Sequence, residues 1–132
     1  MSVTIIMPRS GKEFKLLEKS YVKSRQVRKV VFALPRIELP EGVKAESVSL
    51  VGEFNDWDPT AMPMKLGKSK ASYRATVELE PSREYQFRYL VNGEQWLNDQ
   101  QADGYAPNGY GDDNCVVLTA AAPSAPKQIQ DN

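Results

Sequence analysis

The sequence predicts an all-β chain, an antiparallel β-sandwich of six or seven strands. Three observations carry that expectation. From about residue 25 onward, apolar and polar residues alternate in short runs, the period of a half-buried strand. Turn residues separate those runs at close intervals. No segment inside that region holds a convincing helical period, and 132 residues suit one domain with one core.

The elements follow in order. The head is ambiguous: "SGKE" at 10 to 13 fits a capping box, with Ser10 as N-cap and Glu13 three residues on. Phe14, Leu17 and Tyr21 would then share a helical face, while an extended arm fits residues 1 to 24 equally. "VRKVVFALP" (27 to 35) places Val30, Phe32 and Leu34 on one face. "ESVSLVGEF" (46 to 54) turns Val48 and Leu50 inward. "ASYRATVELE" (71 to 80) sets Tyr73, Ala75, Val77 and Leu79 against Ser72, Arg74, Thr76 and Glu78. "REYQFRYLV" (83 to 91) sets Tyr85, Phe87 and Tyr89 against Gln86, Arg88 and Leu90. Asn92-Gly93 signals a type I′ hairpin, because both central positions favour positive φ. "EQWLN" returns from that turn, and "NCVVLTA" (114 to 120) closes the domain. "AAAPSAPKQIQDN" (120 to 132) is small, Pro-containing and polar, and is expected to stay disordered.

Composition removes several kinds of chemistry. Lys plus Arg equals Asp plus Glu at 17 each, so no global field advertises nucleic acid or a membrane. The basic residues of positions 1 to 30 read as a solvated face or arm. With no histidine, neither a Ser-His-Asp triad nor a His-ligated zinc site can form. A lone Cys115 excludes an intrachain disulfide and a thiolate cage. No cofactor is implied, and the opening apolar run is too short for a signal peptide or a membrane span. A cytoplasmic location is the resulting expectation.

The chain has two tryptophans. Trp57 lies in "NDWDP", just past a strand end, and Trp96 follows the hairpin tip. Each alone reads as core or rim packing. Together, set among amides and charges, they suit a sugar, whose C–H face stacks on an indole while polar neighbours read the hydroxyls. Such a site needs no catalytic group and no metal. Glu53, Asp56 and Asp58 form a carboxylate cluster, but one turn does not build the opposed walls that glycoside hydrolysis needs. "GDDN" (111 to 114) lacks the spacing of a calcium loop. Cys115 has no base to activate it and is expected to face the core.

The blocks "VSLVGEFNDWDPTAMPMK", "REYQFRYLVNGEQWLND" and "GYGDDNCVV" together resemble carbohydrate-binding modules of family 48. These are the isoamylase early-set domains, with an immunoglobulin-like β-sandwich, found at the N-termini of family 13 glycoside hydrolases. The β subunits of AMP-activated protein kinase carry one as their glycogen-binding domain. The resemblance spans roughly residues 27 to 119 and is nearest the short free-standing bacterial members. With the reading of the two ends above, the expected organisation is a basic extension over 1–24 (short helix or extended arm), a carbohydrate-binding sandwich over 25–119 and a disordered tail over 120–132.

The resemblance also implies the ligand, a linear or cyclic α-1,4-glucan such as glycogen, maltooligosaccharide or cyclodextrin. By motif position, Trp57 and Trp96 stack on glucose, Arg88 stands where the family has a basic residue, and Asn114 supplies an amide to vicinal hydroxyls. Tyr110 replaces a leucine of the kinase-type modules, and Arg88 replaces their usual lysine with a planar fork. No catalytic barrel accompanies these blocks, so a non-catalytic glucan binder is expected. The alternative reading is a protein-interaction module that keeps the fold and has lost the sugar site.

Overall fold

A computed structural model of the protein describes residues 17–123. These form nine strands: β1 (Leu17–Val22), β2 (Val27–Pro35), β3 (Val48–Gly52), β4 (Lys65–Leu66), β5 (Ser72–Leu79), β6 (Arg83–Val91), β7 (Gln95–Leu97), β8 (Gly104–Pro107) and β9 (Asp113–Thr119). One antiparallel sheet has the order β1-β2-β5-β4. The second runs β3-β6-β9-β8, with β7 also paired to β6. The result is the antiparallel β-sandwich that alternation and turn spacing predict, with the immunoglobulin-like architecture that the resemblance implies.

Strand parity places the core. Val30, Phe32 and Leu34 of β2 and Val77 and Leu79 of β5 face Leu50, Phe87, Tyr89 and Val117 of the other sheet, all buried. Phe32 meets Phe87 edge to face at 4.9 Å between ring centroids, and Phe87 meets Tyr89 at 5.7 Å. Edge-to-face contact of this kind adds stabilisation beyond area burial. The Tyr89 hydroxyl donates to the Asp99 carboxylate at 2.8 Å and lies 3.3 Å from the carbonyl of Ala33. One side chain of the second sheet thus reaches the backbone of the first.

At residues 17–22 the chain is strand. Leu17 opposes Phe32 and Val22 opposes Val27 in one unbroken register, so the i, i+4 spacing of Leu17 and Tyr21 does not build a helical face there. Ser10, Glu13 and Phe14 of the suggested capping box lie outside the described residues, as do residues 124–132 of the tail. Asn92 and Gly93 take φ of 55° and 72°, as a type I′ turn requires. Asn92 also binds the preceding crossover. Its Oδ1 accepts from the amides of Glu46 and Ser47 at 2.6 and 3.1 Å, and its Nδ2 donates to the carbonyl of Lys44 at 3.0 Å.

Candidate functional site

Residues of β6 alternate between core and outer face. Tyr85, Phe87 and Tyr89 point inward, which leaves Gln86 and Arg88 outside with Trp96 of β7 and Asn114 of β9. The turn after β3 contributes Glu53 and Trp57. The end of β8 contributes Pro107, and the β8–β9 connection contributes Asn108, Tyr110 and Asp112. Together they line an open cleft of about 700 Å³, within the common range for ligand sites. All five residues singled out from the sequence, Trp57, Arg88, Trp96, Tyr110 and Asn114, border this one cleft.

The turn that carries Trp57 is tightly specified. A 3-10 turn at Glu53–Asn55 follows β3, after which Asp56 and Trp57 both adopt left-handed backbone, with φ of 58° and 59°. That region is unfavourable for a bulky side chain and persists only where surrounding bonds hold it. Here the Trp57 amide donates to the carbonyl of Gly52 at 2.9 Å and the Asp58 amide to that of Asn55 at 3.1 Å. The Asn55 side chain accepts from the Gly52 amide at 3.0 Å and donates to the Leu50 carbonyl at 2.9 Å. The Asp58 carboxylate accepts from both the amide and the hydroxyl of Thr60. Those bonds, the amide first, hold its carboxyl below the usual range. Asp56 and Asp58 therefore belong to the turn, while Glu53 borders the cleft and accepts the Gln86 amide at 2.8 Å.

Trp96 sits opposite Leu90 in the β6–β7 pair and leaves 43 % of its surface exposed; Trp57 is half-buried. Arg88, only 9 % exposed, lines the same cleft. Its Nε donates to Asn98 Oδ1 at 2.7 Å and its Nη2 to Asp112 Oδ2 at 3.0 Å, with the guanidinium 5.9 Å from the Trp96 ring centre. Nη1 forms no hydrogen bond within the described residues. A fork fixed at two corners thus keeps a donor for something else.

A chain of amides continues from there. Asn98 donates to the carbonyl of Asp113 at 3.0 Å, Asn108 donates to Asn114 Oδ1 at 3.3 Å, and Asn114 donates to Gln86 Oε1 at 2.9 Å. Asn108 also closes its own loop by accepting from the amides of Tyr110 and Asp112. Gly109 and Gly111, with φ of 82° and 87°, put Tyr110 at the loop tip, 92 % exposed. Gln86, Asn98 and Asn108 were not singled out by the sequence reading. The parity of β6 could have marked Gln86; Asn98 and Asn108 depend on contacts between separate elements.

Cys115 is fully buried beneath this sheet. Its sulfur accepts the Asp99 amide at 3.1 Å, and burial pushes the thiol up to about 11. It faces the core as expected.

An open cleft walled by indoles and floored by amides, on an immunoglobulin-like sandwich, defines a surface binding module. The chain belongs to the family described as the glycogen recognition site of AMP-activated protein kinase, whose model matches residues 37–122, more than half of the chain. The matched span begins just after β2, runs past β9 and contains every residue bordering the cleft. A comparison with curated proteins finds no match.

Proposed function

We propose that the chain binds α-1,4-glucan without catalysis, with glycogen or a maltooligosaccharide as the natural ligand. The observation that carries this reading is a nine-tenths buried Arg88, its Nη1 without a hydrogen bond among the described residues, lining one cleft with both indoles in a glycogen-recognition family member. Trp57 and Trp96 stack on pyranose faces. Arg88 and Asn114 then meet the hydroxyl rim, and Tyr110 covers the ligand from the loop tip. Cyclodextrin presents the same faces in closed form.

Hydrolysis would need a second carboxyl group facing Glu53 across the bound bond. Asp112, the cleft's other carboxylate, is paired with Arg88, and Asp58 is bound within its own turn. With few desolvated anchors, affinity falls at about 10 to 1,000 μM.

Affinity electrophoresis and calorimetry with maltoheptaose and β-cyclodextrin test the reading. Trp57→Ala and Trp96→Ala each lower affinity roughly tenfold or more while the far-UV spectrum and unfolding midpoint stay near wild type. An absence of binding at millimolar glucan would overturn the proposal and favour the protein-interaction module. Reducing-sugar release that is lost in Glu53→Gln would favour an enzyme.

A further inference from the structure

The chain's charges balance overall, but the cleft's do not. Its lining includes two carboxylates, Glu53 and Asp112, and the cation Arg88. That cation is already spent: its guanidinium lies against Asp112 at 3.0 Å, and its side chain is 10 % exposed against 60 % for the aspartate. An approaching ligand therefore meets the carboxylate before the guanidinium. Asp112 is held in place from a second side, because its Oδ1 accepts the Asp113 amide at 3.0 Å. Asp112 also stays ionised in mild acid, since that amide and then Arg88 keep its carboxyl below the usual range. Glu53 has no cationic partner among the described residues; its bond to the Gln86 amide leaves its charge uncompensated.

We propose that the Arg88–Asp112 pair, with Glu53, makes this cleft selective for uncharged saccharide and excludes glucans carrying phosphate. The inference rests on the glucan reading above and concerns what that site refuses. Neutral hydroxyls use both members of the pair, as acceptors for the Arg88 nitrogens and donors to the Asp112 oxygens. A phosphate ester finds a guanidinium whose charge its carboxylate already balances, so Nη1 offers it a hydrogen bond but little net attraction. It meets instead two like charges in a partly desolvated cleft, a repulsive element of the kind that creates specificity. A basic residue in a sugar site would ordinarily attract anions. Here Asp112 converts it into a neutral hydrogen-bonding unit.

Calorimetry of the full chain with maltoheptaose and with maltoheptaose 6-phosphate, at matched pH and about 20 mM salt, measures the ratio of the two affinities. The expected ratio is about tenfold or more in favour of the neutral ligand, shrinking as salt rises to about 0.5 M. Asp112→Asn, which keeps the side chain's shape, and Glu53→Gln should each reduce that ratio several-fold. Equal affinities in the wild type, or a ratio unmoved in both variants, would overturn charge selection while leaving glucan binding intact. Failure to hold either ligand would overturn the glucan reading and this proposal with it.

Discussion

Arg88 shows how one residue gathers a site. A buried guanidinium is costly unless its donors are met, and here Asn98 and Asp112 meet two of its corners. Because Asp112 is largely solvated, losing the pair should move stability only modestly. Function is more exposed to change. Arg88→Met should lower maltoheptaose affinity roughly tenfold, and Asn98→Ala several-fold, although Asn98 does not border the cleft. If Asn98 acts only by aiming Arg88, the double variant binds no more weakly than Arg88→Met alone; calorimetry of all four proteins reads this coupling. An additive double variant would give Asn98 an independent role. The strand period of "REYQFRYLV" already sets Arg88 against Tyr85, Phe87 and Tyr89, so its outward direction is legible in the sequence. Its partners are not. Asn98 lies across the β6–β7 hairpin and Asp112 in a distant loop, and neither local pattern says which way those side chains face.

At the scale of elements, the turn after β3 is the most demanding piece. Gly52 has extended backbone, so its importance is space rather than φ. A Cβ there would stand 2.6 Å from the carbonyl oxygen of Gln86 and 2.9 Å from both Phe54 and Phe87. Gly52→Ala should therefore destabilise the fold by about 1–3 kcal/mol, seen as a lower urea midpoint. It should also weaken glucan retention, because the Gly52 carbonyl holds the Trp57 amide. An unchanged midpoint would mean that β3 and β6 can separate without cost. Long alternating strands were readable because each carries its own period. Short β1, β4 and β8 were not: "LEKSYV" has too few apolar positions to choose between helix and strand, and its register against β2 decides. β4 is two residues long, and β8, "GYAP", sits in a Gly- and Pro-rich stretch that reads as loop.

The whole molecule has a core that carries its own titration. Tyr89 joins the sheets, Asp99 accepts a hydrogen bond from its hydroxyl, and the Asp99 amide in turn reaches the sulfur of Cys115. Burial raises the Cys115 thiol from 9.0 to about 11, and burial likewise raises the Tyr89 phenol well above its ordinary value. Both groups favour their neutral forms in the folded state. Below pH 9 the folded and unfolded chains hold the same protons at Cys115, so it adds no pH dependence there. As pH rises from about 9 towards 11, the unfolded thiol ionises first, and the folded state loses stability. Wild type and a Cys115→Ala variant should thus differ by a constant amount below pH 9. Over the next two pH units that difference should shift steadily against the wild type, while Tyr89 lowers both proteins alike above its ordinary range. Urea unfolding across pH 7 to 11 measures this. A pH-independent difference would show that the thiol is not held neutral by the fold. The same burial makes a second, kinetic expectation: iodoacetamide at pH 8 leaves the native thiol unmodified and alkylates it once urea opens the sandwich.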